Sequence, residues 1–353
     1  MSEARVGVVF NPNSKKNRLR PERFDALVRL VGDVGEVRRT RHVDELREVV
    51  EDFLDGGVDH WVADGGDGAF HWLVNAAAVA VRERGRGEAI PPILPTRSGT
   101  VDFLAVKAKL KGGAEDLIAG LVAGVRAGVR QPSMRIDSLR LEGTLGRRAD
   151  KPGDTFDRIG FAAALAGIGQ GFFDRFYGHG DLSARGIVTV VGKILGSAAV
   201  GAPGLRWVPV PDAARAYAEP VFAPQPLDVW LDDERVALEH FRAVNIGSID
   251  IELSGVFRLF PFAADEGVLH ALVGDPGVID VATNLPRMAM GKTLSGRRMV
   301  ERPVREMRVV AREDASIDPV IDGELFFGLE SVRVTAGPKV RVLQPQASAG
   351  GVV

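Results

Sequence analysis

Gly65-Gly66-Asp67-Gly68 is the stretch that most narrows what this chain can fold into. Three glycines within four residues permit backbone conformations and close approaches that side chains forbid. The run stands between His60-Trp61-Val62-Ala63, which reads as a buried strand, and a helix whose apolar face carries Phe70, Leu73, Val74, Ala77, Ala78 and Val81. An isolated glycine cluster is an ordinary tight turn with an acidic cap. Between an apolar strand and an amphipathic helix it is a strand-to-helix loop, where unpaired N–H groups and the helix dipole favour an anion. Asp67 is the odd member, because a carboxylate beside an anion is repelled unless it holds a metal or takes a proton.

The same unit recurs along the first third. Val6-Gly7-Val8-Val9-Phe10 reads as a strand ending in the turn Asn11-Pro12-Asn13-Ser14, and Phe24, Leu27, Val28 and Val31 follow at helical spacing. A strand near Val37 precedes a helix carrying Val43, Leu46, Val50, Phe53 and Leu54, which stops at Gly56-Gly57. A further strand over 90–94, a loop over 96–100 and a helix over 101–110 complete the series. This alternation predicts an open parallel α/β sheet covered on both faces, with ligands beyond the carboxyl ends of its strands. Three polar loops, 11–16, 64–69 and 96–100, fall at such ends. Read alone, Ser98-Gly99-Thr100 is equally a helix cap and Asn11-Pro12-Asn13-Ser14 an ordinary turn. Lys15, Lys16 and Arg18 beside the first loop favour an anion.

Beyond residue 130 the rhythm changes to short alternating runs, such as Asp228-Val229-Trp230-Leu231 and the segments 307–311, 331–335 and 339–343. They predict antiparallel strands with one wet face, and hence a mostly β carboxy-terminal domain, with 142–155 as a long hairpin loop and 346–353 as a frayed tail. The expected domains are residues 1–130, α/β, and 131–330, an antiparallel β-sandwich, with 331–353 supplying terminal strands that return to the first domain. A length of 353 residues with 45% hydrophobic content supports two cores.

A formal net charge of -2 gives no global field toward nucleic acid. The absence of cysteine excludes disulfides and thiolate chemistry and, with no secretory leader at the start, points to the cytoplasm. The weakly polar stretch 186–205 is interrupted by Lys193 and falls short of a membrane span, though it suits contact with a membrane surface. The six histidines show no paired metal spacing, and His71 reads as an ordinary helical residue or as a second polar group just after the glycine loop. Gly291-Lys292-Thr293 has Pro286 five residues before its glycine and is no P-loop; Gly167-Ile168-Gly169-Gln170-Gly171 reads as close packing or a bend.

Taken in order, Asn11-Pro12-Asn13-Ser14, Gly65-Gly66-Asp67-Gly68, Ser98-Gly99-Thr100, Asn245-Ile246-Gly247 and Asp322-Gly323-Glu324 resemble the diacylglycerol kinase catalytic family, which includes bacterial lipid kinases and sphingosine kinases, with NAD kinases more distant. The resemblance implies an ATP site between an α/β and a β-sandwich domain. It places phosphate contacts on Asn11, Ser14, Gly65, Gly66, Gly68, Gly99 and Thr100. Asp67 becomes the group that orients or deprotonates an acceptor hydroxyl, and Glu324 joins it from the second domain. Mg2+ offsets phosphate charge during transfer. The acceptor implied is a lipid or lipid-like alcohol, reached at the inner membrane surface. Asp265, in an acidic loop altered from the family arrangement, is the metal candidate, although charged turn residues are common and a solvated acidic turn is the better reading of it. A homodimer through edge strands is a further expectation.

The chain departs from the family at Ala69, where threonine is usual, at Trp72, where an acidic residue is common, and at Asp102, where asparagine is common. These positions motivate an alternative, a noncatalytic nucleotide- or lipid-binding protein on the same scaffold. A third reading is a kinase acting on a soluble acceptor.

Overall fold

A computed structural model of the chain describes residues 4–85, 89–99, 101–181, 183–201, 209–253 and 257–346. It divides into two compact units, Met1–Ile136 with Pro338–Val353, and Asp137–Gly337.

In the first unit, strands β1 (Val6–Phe10), β2 (Gly35–Arg39), β3 (His60–Asp64) and β4 (Ile93–Pro95) alternate with helices α1 (Lys15–Leu19), α2 (Arg23–Val31), α3 (Glu45–Asp55), α4 (Asp67–Glu83), α5 (Phe103–Lys107) and α6 (Ala114–Arg126). The sheet order is β2-β1-β3-β4, then the terminal strand Val340–Leu343, then β5 (Ser133–Ile136). Every neighbouring pair is parallel except the last, in which β5, the strand that leaves the unit, runs antiparallel to the one that returns. The sheet is therefore mixed where the sequence pattern suggested a purely parallel one.

The helices form where apolar residues recur on one face. Leu46, Val49, Val50 and Phe53 of α3 and Phe70, Leu73, Val74, Ala77 and Val81 of α4 are buried. Val28 and Val43, counted on apolar faces from spacing alone, are 45% and 44% exposed: the sheet needs only a narrow stripe of α2, and Val43 lies in the turn before α3 begins at Glu45. The helix expected over 101–110 contracts to α5, since Asp102 takes a left-handed conformation at φ 53° immediately before it.

The second unit carries two six-stranded antiparallel sheets. One orders β10 (Glu234–Arg235), β9 (Leu227–Leu231), β16 (Glu306–Ala311), β19 (Leu329–Ala336), β6 (Leu139–Leu145) and β7 (Thr155–Gly160). The other orders β15 (Met299–Val304), β14 (Leu269–Gly274), β11 (Ala243–Gly247), β8 (Ala162–Gly167), β17 (Val320–Ile321) and β18 (Glu324–Leu325); a separate ribbon pairs β12 (Ile251–Leu253) with β13 (Phe257–Leu259). Leu141, Leu165, Val229, Phe241, Ile246, Val273, Met307 and Val332 belong to one shared apolar core between them. The expected hairpin loop 142–155 is present but shorter, spanning 146–154, since β6 runs to Leu145 and β7 starts at Thr155.

Helices α7 (Ile168–His179) and α8 (Ala184–Gly201) gather Phe176, Ile187, Val190 and Ile194 into a second small core with Val221, which lies beyond the short α9 (Asp212–Ala216), and α10 (Val278–Ala289) follows β14. The weakly polar stretch thus begins as α8, while 202–208 lie outside the described residues. Among the described residues no helix is long and apolar enough to cross a membrane.

Candidate nucleotide-phosphate site

The strand order places β1 between β2 and β3, so the chain leaves β1 to one side and later returns on the other. Such a switch point opens a crevice at the carboxyl ends of the two central strands. Phe10 and Asp64, the last residues of β1 and β3, are partners in the parallel register. The loops that follow them, Asn11 onward and Gly65 onward, accordingly emerge side by side.

In the first loop, the Asn11 side-chain oxygen accepts the Asn13 N–H at 2.9 Å and the Asn11 carbonyl accepts the Ser14 N–H at 3.3 Å, a turn closed by its own asparagine. Asn13 Nδ2 donates to the Arg41 carbonyl at 3.0 Å, which draws the loop after β2 into the same edge. The Ser14 hydroxyl is buried and has no hydrogen-bond partner. An orphaned hydroxyl in such a loop fits a missing acceptor.

The second and third loops touch backbone to backbone. A Cβ built on Gly66 would lie 2.8 Å from the Gly99 Cα, and one built on Gly99 would lie 2.5 Å from the Gly66 Cα. Both must be glycine for the loops to meet. Lys16 Nζ donates to the Arg97 carbonyl, so the first loop's cation reaches the third. Asp67 begins α4, and its carboxylate accepts the Phe103 N–H at 3.2 Å and the Leu104 N–H at 3.4 Å, the leading amides of α5.

Several internal pairings were not visible in the sequence. The Gly65 N–H is bound by the Thr96 hydroxyl at 3.2 Å and the Gly99 N–H by the Asp102 carboxylate at 2.9 Å. Asp102 thus turns toward an amide of its own loop, and asparagine or aspartate suits its left-handed backbone. Burial raises the Asp102 pKa, opposed by the Gly99 N–H and by the charges of Lys16 and Arg97. His71 is buried on α4 within 3.4 Å of Asn75. Gly68 lies in the first turn of α4; Thr100 lies outside the described residues.

Glu324 and Asp265 belong to the second unit. Asp322 and Gly323 have φ 53° and 91° between β17 and β18, the two-residue turn that asparagine, aspartate and glycine favour in hairpins, and Glu324 opens β18. Asp265 is exposed, its carbonyl accepting the Val268 N–H at 3.3 Å. Among the described residues no three or more His, Asp or Glu side chains gather as a metal set. Gly169 and Gly171 pack tightly against Ala164, Asn245 and Val221, as the close-packing reading requires.

A model of the diacylglycerol kinase catalytic domain matches residues 5–130, the stretch that carries all three loops. Residues 5–130 form a diacylglycerol kinase catalytic-family domain. The fold of the whole chain agrees. A Bacillus anthracis str. Sterne protein described as a candidate diacylglycerol kinase superposes with a TM-score of 0.62 at 11% identity, covering 98% of each chain. A diacylglycerol kinase structure from the same organism gives 0.56 at 11% identity and 98% coverage of each. Yeast NADH kinase, solved with NADH, gives 0.51 at 11% identity, covering 99% of this chain and 85% of its own. No curated protein matches the sequence. The family match thus concerns residues 5–130, and the likeness over the whole chain is one of fold.

Proposed function

We propose that the protein is an ATP-dependent kinase that transfers the γ-phosphoryl group to a hydroxyl of a lipid or lipid-like alcohol. The observation that carries the reading is the meeting of Gly66 and Gly99 at the switch point, beside Asn11 and Ser14 and next to Asp67. Neutral amides, an orphaned hydroxyl and the cations Lys16 and Arg97 suit a polyphosphate; no cleft residue demands a different ligand class.

In this reading, Asn11, Ser14, Gly65, Gly66, Gly68, Gly99 and Thr100 line the phosphate path. Asp67 orients the acceptor hydroxyl and takes its proton as oxygen attacks the γ-phosphorus and the bond to ADP breaks. The α5 amides that its carboxylate accepts orient it at the start of α4. Glu324 is retained as a second-domain participant. Magnesium, entering with the nucleotide, supplies charge neutralisation, and Asp265 remains the candidate for a separate metal. The amides of Gly65 and Gly99 already have internal partners, so Gly66, Gly68 and the Ser14 hydroxyl carry more of the contact than sequence alone suggested. Action at a membrane surface in the cytoplasm, a homodimer and no role for nucleic acid complete the proposal.

Incubation with magnesium, γ-labelled ATP and a lipid extract tests it. Label passing into the organic phase, and lost in Asp67→Asn, is the expected result. Label entering a water-soluble product would favour a soluble acceptor, a reading that the fold shared with an NADH kinase keeps in view. ATP binding with no transfer would favour the noncatalytic alternative motivated by Ala69, Trp72 and Asp102.

A further inference from the structure

Beneath the glycine loop lies a charged group that the phosphate reading does not use. Asp64 closes β3, is 0% exposed, and sits one residue before Gly65. Its carboxylate takes both terminal nitrogens of Arg23 at 2.5 and 2.9 Å, Asn17 Nδ2 at 3.1 Å and the Thr96 hydroxyl at 3.0 Å. Arg23 is itself 3% exposed and donates a further bond from Nε to Glu115 at 2.8 Å. Burial works to lower the Arg23 pKa, but Asp64 and Glu115 outweigh it and raise it, so the guanidinium stays charged.

Asn17 and Thr96 carry the hold of Asp64 out to the loops. Asn17 Nδ2 also bonds the Asn11 carbonyl at 2.9 Å, tying the first loop. Thr96, which donates its hydroxyl proton to Asp64, accepts the Gly65 N–H on the same oxygen, tying the second loop to the third. Ser98 stands 3.5 Å from the same carboxylate oxygen. One carboxylate therefore fixes all three loops, and one guanidinium cancels its charge where an anion is to settle. A buried ion pair is a weak source of stability compared with apolar packing, but it imposes a single geometry on the groups it binds.

We propose that Arg23 and Asp64 are positioning residues for the phosphate loops, acting on Gly65 through the Thr96 hydroxyl and on Asn11 through Asn17. The inference rests on the kinase reading for its effect on nucleotide, and on the geometry alone for its effect on the loops.

Four proteins test it: wild type, Thr96→Val, Thr96→Ser, and the neutral double variant Arg23→Gln/Asp64→Asn. Two quantities are read, the kcat and KM for ATP, and hydrogen–deuterium exchange of the peptide spanning residues 62–70 without nucleotide. Thr96→Val is expected to raise the KM about tenfold with kcat within about threefold, and to speed exchange of the peptide about tenfold. Thr96→Ser, which keeps the hydroxyl, restores both, and the double variant moves both further. Variants that melt earlier while leaving KM and loop exchange at wild-type values would overturn the proposal, since the pair would then serve stability alone. If the double variant does not fold, the Thr96 pair decides. A wild-type protein that transfers nothing from ATP defeats the kinase reading, and the exchange comparison still decides the positioning role.

Discussion

Asp67 and Asp322 are each followed by glycine, and each carboxylate accepts two successive backbone amides from a distant segment, yet the two sites differ in what the backbone demands. Asp322 has a left-handed φ of 53°, and one of its oxygens takes the Phe161 and Ala162 amides at 2.8 and 3.0 Å. Hairpin geometry gives that aspartate a structural role. Asp67 stands at the first position of a 17-residue helix, where no backbone conformation calls for it, and its bonds, at 3.2 and 3.4 Å, are longer and divided between both oxygens. The same pairing is a lock in the sandwich and a looser hold beside the phosphate loops. A short motif such as Asp-Gly-Glu is thus explained by its turn before any chemistry is invoked.

The sharpest way to break this contrast is to remove each carboxylate. Asp67→Asn should lower phosphoryl transfer by about 10²- to 10⁴-fold, measured as initial rate, with the unfolding free energy changed by only about 1 kcal/mol. Asp322→Ala should do the reverse. Losing two charge-assisted bonds and a residue suited to the left-handed region should cost about 2–4 kcal/mol in urea unfolding, with nucleotide affinity within about twofold of wild type. Equal effects of the two substitutions on both measurements would erase the distinction.

A smaller effect separates glycines by role. Gly99→Ala places a Cβ 2.5 Å from the Gly66 Cα and 2.6 Å from an Asp102 oxygen, so it should push the loops apart and weaken ATP binding by about tenfold, or about 1.4 kcal/mol. Gly267→Ala, at φ 79° with nothing within 4 Å of the new Cβ, should cost about 1 kcal/mol of stability and leave ATP affinity alone.

The smallest effect is one of pH. Burial raises the Asp102 pKa in the folded protein, so its protonated form is favoured by folding; that contribution is present below its ordinary value near 3.8 and fades as pH rises through the folded value. Asp102→Asn should therefore gain in urea midpoint over wild type at neutral pH, and the gain should shrink on acidification toward pH 4. A gain that grew in acid would contradict the burial of this carboxylate.

The helices, the carboxyl-edge loops and the mostly β second domain were legible because apolar periodicity and glycine placement are local signals. Leu27, Val31, Val50 and Phe53 are buried as their spacing requires. The Arg23–Asp64 pair was not legible. Its members are 41 residues apart, and an arginine in a first helical turn ordinarily reads as solvated. Thr96 was seen only as a loop boundary, since nothing in the sequence reveals that its hydroxyl serves Gly65. The Asp102 pairing had a faint signal, a carboxylate three residues beyond a glycine amide, the spacing that recurs between Gly113 and Asp116 and between Gly277 and Asp280.

The central claim is that ATP phosphates settle where the Gly66 and Gly99 backbones meet. Titration of isotopically labelled protein with magnesium and ATP, followed through backbone amide resonances, tests it most directly. Saturable shifts concentrated at Asn13, Ser14, Gly66, Gly68 and Gly99, and abolished by Gly99→Ala at the same ATP concentration, are the predicted result. No saturable change at those amides, or a response confined to the second unit, would contradict it.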